Sequence, residues 1–165
     1  MITKDAYDRS LEHTSYDVYV AVPWKTVPKL ENGDAVVLAM AAQTKQDVIY
    51  LQGTLEQARS YLSAIYRAGG AAVVVPSHYR VWNISAAEGS KLAHAEFARR
   101  RNPDHVYGDL SEARDEYLWW EYIASDITAQ TAGMIPGVLR IKIDKLDGHV
   151  PSKEEYSSWL RMCEP

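Results

Sequence analysis

The sequence predicts an α+β fold in a single domain over residues 1–165, and three observations carry that expectation. Short β-branched and apolar runs alternate with segments of helical period. Four Thr, Ser or Asp residues are each followed three positions later by Gln or Glu, the signature of a capping box at a helix start. The balance of 47% hydrophobic and 24% charged residues is that of an ordinary globular chain rather than a disordered one. Together they predict one mixed sheet of five or six strands, near 17–22, 35–41, 47–52, 71–75, 79–84 and 138–143. Three or four helices pack against it.

The elements follow in chain order. Residues 3–13 have weak helical character and no strong cap. Residues 17–22 alternate as a strand and are bounded by Pro23 and Pro28, which cannot sit inside a central strand. Asn32-Gly33-Asp34 is a turn signal leading into the apolar run 35–41. A polar turn at 43–46 then separates that run from 47–52, so the three strands could form an antiparallel meander.

The strand–helix–strand unit at 47–75 has the most consistent local chemistry. Thr54 and Gln57 make a capping box. Leu55, Ala58, Leu62 and Ile65 recur at helical spacing with Tyr61 beside them, and Gly69-Gly70 accepts the left-handed stop. The run 71–75 is β-branched and closed by Pro76. If its two strands are sheet neighbours, the crossover is parallel and right-handed.

Residues 79–84 read as a further strand. Ser85 with Glu88 opens a helix to about residue 101, and Asp109 with Glu112 opens another over 110–132. Residues 138–143 alternate cleanly, and Ser152 with Glu155 caps a last helix to about residue 162.

Composition excludes several functional classes. A net charge of −4 argues against a general nucleic-acid binder, since phosphates call for a surplus of Lys and Arg. The single cysteine, Cys163, rules out an internal disulfide and Cys-only metal sites, and favours a reducing, cytoplasmic setting. The early acids and absent apolar core of the N-terminal residues do not read as a signal peptide. No membrane segment, cofactor or metal is expected.

Candidate sites are few. His94-Ala95-Glu96 matches the His-x-Glu half of a zinc deaminase signature, but the second half needs cysteines this chain lacks. The five histidines show no pair at the spacing that places two rings on one helical face. Gly53 and Thr54 sit at a helix start, where backbone N–H groups favour an anion, although one glycine without a lysine is far from a phosphate loop. Arg99, Arg100 and Arg101 place three cations at a helix C-terminus, which the helix dipole alone explains.

The segment 110–132 offers the best site. Read as a helix, it turns Leu110, Ala113, Tyr117, Trp120, Ile123, Ala124 and Ile127 to the core. A second arc collects Glu112, Asp115, Trp119, Tyr122 and Asp126. Residues 109–126 hold six acids and one base, a charge of −5. Acidic steering around aromatic anchors suits a basic protein partner.

The function expected is therefore a small acidic protein-binding module of the inhibitor, immunity, antitoxin or phage counter-defence type, acting by contact rather than chemistry. One alternative is an enzyme or sensor that binds a nucleotide or another phosphorylated small molecule at the 52–54 turn, helped by His78, Arg80 or the arginine cluster. Another is a structural component that self-associates through the aromatic stripe.

Overall fold

The computed structural model describes residues 15–22, 39–41, 47–50, 53–135 and 137–164. The expected helix at 3–13, the prolines at 23 and 28, the 32–34 turn, residues 35–38 of the second strand and the 43–46 turn lie outside them. The fold is α+β, with two antiparallel sheets in place of the one mixed sheet of five or six strands. Each sheet belongs to its own compact unit, one drawn from residues 1–80 and 153–165, the other from residues 81–152.

The first unit holds β1 (Tyr16–Val22), β2 (Ala39–Ala41), β3 (Asp47–Tyr50) and β4 (Ala71–Pro76), in the order β2-β3-β1-β4. Helix α1 (Leu55–Arg67) joins β3 to β4, as the capping box and the double glycine predict. Thr54 N–H donates to Gln57 Oε1 at 2.7 Å, Gln57 N–H donates back to Thr54 Oγ1 at 3.4 Å, and Gly69 takes φ +80° at the stop.

Strands β3 and β4, which flank α1, are not neighbours, however. Both run antiparallel to β1, which lies between them, so they are parallel to each other across one intervening strand. The meander is corrected in the same way, because β1 pairs with β3 rather than with β2. Val18 sits opposite Val74 and Val20 opposite Ala72, and these buried pairs share one face of the sheet. Ala58, Tyr61, Leu62 and Ile65 supply the buried face of α1, which packs on β4 and β1.

Helix α4 (Lys153–Met162) belongs to this unit as well. Its Trp159 Nε1–H donates to the Val74 carbonyl at 3.0 Å. Asp17 is fully buried on β1, and Arg80 grips both its oxygens, Nε–H at 2.8 Å and an Nη–H at 2.6 Å. Arg80 ends a 3-10 turn, Ser77–Arg80, where a strand over 79–84 is expected from the alternation. No ladder forms there because the Asn83 and Ile84 amides both donate to the Lys145 carbonyl, each at 3.0 Å.

The second unit packs helix α2 (Ala86–Arg100) on a sheet of β5 (Arg114–Asp115), β6 (Trp119–Ser125) and β7 (Val138–Asp144), in the order β5-β6-β7. A short helix, α3 (Ile127–Thr131), lies between β6 and β7. The expected helix over 110–132 is therefore overturned. Trp119, Trp120, Tyr122 and Ile123 satisfy a helical repeat and a strand repeat alike. Aromatic and β-branched side chains favour the pleated state, and β7 supplies a matching partner over seven register pairs.

Period two then decides the faces. Trp120 and Tyr122 lie opposite Ile143 and Ile141, and with Ala93 of α2 they form the core of this unit. Two part-buried hydrogen bonds tie that core to the start of α2. Trp120 Nε1–H donates to the Ile84 carbonyl and Tyr122 Oη–H to the Ala86 carbonyl, both at 2.8 Å.

Helix and sheet approach closely at Gly89. A Cβ there would stand 2.7 Å from Tyr122 Oη and 3.1 Å from the Trp120 ring. Alanine should raise helix propensity by about 1 kcal/mol, yet the rigid rings cannot yield. Gly89→Ala is expected to be destabilising by roughly 1–3 kcal/mol, as overpacked cores are. A lowered midpoint of urea unfolding checks it, and a raised midpoint would contradict the contact. Among the described residues, no helix is long and apolar enough to cross a membrane.

Candidate functional site

The acidic and aromatic side chains that form one stripe on a helix are dispersed by the strand. Trp119 and Tyr122 point to opposite faces of β6, and both are buried. Lys142 Nζ lies 5.1 Å from the Trp119 ring centroid, a cation–π contact. Asp115, Glu121 and Asp126 are engaged within the unit. Glu121, also buried, faces Lys142 at 3.3 Å and Arg140 at 3.4 Å. Asp126 Oδ2 meets His105 Nδ1 at 2.6 Å, and its Oδ1 accepts from Thr128 N–H at 3.0 Å. Glu112 is exposed in the irregular stretch before β5.

Asp115 pairs with Lys145, whose ammonium it shares with the Glu116 carbonyl. The Lys145 side chain is 1% exposed while that of Asp115 is 47% exposed. Lys145 Nζ also stands 4.4 Å from the Trp82 ring centroid and 4.5 Å from that of Trp120, two rings meeting edge to face. Burial lowers the Lys145 pKa, against the opposing bond from Asp115. This lysine fills the aromatic cage that surrounds it, and the arrangement reads as a buried structural anchor.

The positions considered for an anion are engaged too. The capping box occupies the backbone N–H of Thr54 and that of Gln57. A Cβ on Gly53 would fall on the Gln57 side-chain amide, so the absence of a side chain here makes room for the cap. Arg99 donates to Glu96 at 2.8 and 2.5 Å, and Arg100 bonds the same carboxylate. The bond from Arg99 holds Glu96 below the usual carboxylate range, overriding burial, with Arg100 adding to it. Arg101 is exposed at the C-cap of α2. His78 packs its ring beside Tyr79, and Arg80 is committed to Asp17. His94 Nδ1 bonds the Ser90 carbonyl one turn back on α2 at 2.8 Å.

The two ends of the β6–β7 ladder differ. At the Ser125–Val138 end, large apolar side chains reach solvent: Val106, Ile127, Met134, Ile135 and Val138, with Ile135 95% exposed. Backbone bonds bring Val106 beside Ile127, whose N–H donates to the Val106 carbonyl at 2.8 Å, and Gly137, next to Val138, beside Asp126, whose N–H donates to the Gly137 carbonyl at 2.9 Å. Met134 and Ile135 lie in the short segment between α3 and Gly137.

At the Trp119–Asp144 end, the chain leaves β7 in a tight turn that gathers Asp144, Asp147 and His149. The donor atoms of these three lie within 4.8 Å of one another. Asp147 Oδ1 bonds His149 Nδ1 at 2.5 Å and also accepts from His149 N–H at 3.0 Å. Burial pushes the Asp147 carboxyl up, but the bonds from His149 outweigh it and the net shift is downward. The sequence carries the signal as Asp-x-x-Asp-x-His, which a search for paired histidines passes over. No protein-family model, curated protein or solved structure matches this chain.

Proposed function

We propose that the chain is a protein-binding module of the inhibitor or immunity type, which acts by covering a partner's surface rather than by chemistry. The exposed apolar side chains at this end of the ladder, Val106, Ile127, Met134, Ile135 and Val138, carry this reading. Surfaces of monomeric proteins keep contiguous apolar patches small, because each Å² left in water forfeits about 25 cal/mol of burial. A folded partner with its own apolar patch recovers that free energy on contact. Two of the acids that pointed to a basic partner are turned to internal cations, Glu121 to Lys142 and Arg140, and Asp115 to Lys145. Apolar fit rather than acidic steering is the contact this reading calls for.

Ile135→Asp is the test. Its side chain is almost wholly exposed, so stability is expected to stay within about 0.5 kcal/mol of the wild type. Binding to a partner recovered from the native host, then purified, should weaken by at least roughly tenfold, as loss of an interface anchor does. Titration calorimetry of the two purified proteins measures this. A partner that binds Ile135→Asp and Val138→Asp as tightly as the wild type would sink the proposal. So would light scattering that shows only a wild-type self-dimer, since the cluster would then serve assembly.

A further inference from the structure

We propose a second site, independent of the apolar cluster: the turn at 144–149 is a divalent-metal site with Asp144, Asp147 and His149 as protein ligands. Asp144 ends β7 and is buried, while Asp147 and His149 are each partly open to solvent. Three donors from one short turn therefore converge at a point that an ion can reach from outside.

The distances suit a shared ion. Nitrogen and oxygen ligands stand about 2.0–2.2 Å from zinc, which puts ligands of one ion roughly 3–4 Å apart. The donors already lie within 4.8 Å of one another, and only a small adjustment is needed: the Asp147–His149 pair opens from 2.5 Å as the ion enters between them, and the Asp144 carboxylate closes in. The turn is also built before an ion arrives. Asp144 N–H donates to the His149 carbonyl at 2.9 Å and Gly148 N–H to the Asp144 carbonyl at 3.1 Å. Leu146 N–H holds Asp144 Oδ1 at 2.7 Å. Gly148 takes φ +78°, and a Cβ there would meet Leu92 Cδ1 at 2.8 Å, so the close return of the chain calls for glycine. Ligands held this way lose little freedom on binding.

One imidazole nitrogen and two carboxylates set the class of ion. Calcium and magnesium take all-oxygen shells, whereas imidazole suits zinc and its first-row neighbours. Three protein ligands at a partly open turn leave further positions to water. The Asp147–His149 bond by itself would be an ordinary turn contact. The site rests on the third donor, the carboxylate of Asp144, standing within reach of both. Binding replaces the hydrogen between Nδ1 and Oδ1 with the ion, and the ring proton moves to Nε2 or to solvent.

Calorimetric titration of the full chain with Zn2+ alone, after treatment with a chelator, tests the proposal. Cobalt absorption then reports the ligands. One ion per chain is expected, and Zn2+ should raise the melting temperature of the wild type. His149→Gln and Asp147→Asn should each weaken binding by about tenfold or more, since even outer-shell losses reach that size. Asp144→Asn keeps an oxygen for Leu146 N–H and should do the same. His94→Gln and His105→Gln should bind as the wild type does. No stoichiometric binding by the folded wild type, or undiminished binding by His149→Gln, would overturn the site.

Discussion

Tyr122→Ala is expected to destabilise the protein by about 3–5 kcal/mol, as truncations of large buried aromatic side chains do. The side chain is 1% exposed and lies in the core of the second unit with Trp120, Ala93, Ile141 and Ile143. Removing it opens a cavity beneath α2 and breaks the Oη–H bond to the Ala86 carbonyl. Tyr122→Phe separates the two contributions. It keeps the ring and should cost only about 1 kcal/mol, the usual net value of a hydrogen bond. Urea unfolding followed by tryptophan fluorescence measures both. The outcome also discriminates between secondary structures at this position. A Tyr122 on the solvent side of a helix would leave stability within about 0.5 kcal/mol on truncation, and that result would contradict the strand.

The second large effect belongs to the first unit. Arg80→Ala is expected to cost about 3 kcal/mol, the lower end for breaking a buried ion pair. Asp17 has no exposed surface, and the two bonds from Arg80 compensate its charge. The lower end applies because Arg80 is itself 39% exposed, so water can enter where it stood. Adding Asp17→Asn to Arg80→Ala should recover part of the loss, because a neutral amide no longer needs the cation. The four-membered cycle of single and double variants, read by urea midpoints, gives the coupling. If the double variant is as unstable as the sum of the singles, the two residues do not act as a pair.

Helices α1 and α2 were legible because their starts carry reciprocal caps, whose bonds form between residues three apart and need no tertiary partner. Strands β1, β3, β4 and β7 were legible as short alternating or β-branched runs. The segment 114–125 was not, because Trp119, Trp120, Tyr122 and Ile123 fit two periods equally well. Pairing along β7 decided between them, and pairing is a property of two segments rather than one. The same decision scattered the acidic stripe, taking Asp115 to Lys145 and Asp126 to His105 and leaving Glu112 exposed.

The candidate sites divide in the same manner. The turn at 144–149 is written locally, as Asp-x-x-Asp-x-His around Gly148, and its donors lie close because the chain reverses tightly there. The apolar cluster of Val106, Ile127, Met134, Ile135 and Val138 is not local. It depends on backbone bonds that join 106 to 127 and 126 to 137.

By itself, then, the sequence determined the α+β class, the caps that start α1 and α2, and the apolar runs that make most of the strands. Each of these follows from contacts a few residues apart. Only tertiary structure decided that the strands divide between two antiparallel sheets, that β1 lies between β3 and β4, and that Trp119 and Tyr122 are buried on opposite faces. Those outcomes depend on which distant segment satisfies a strand's backbone groups, and a pattern of period two or 3.6 carries no record of its partner.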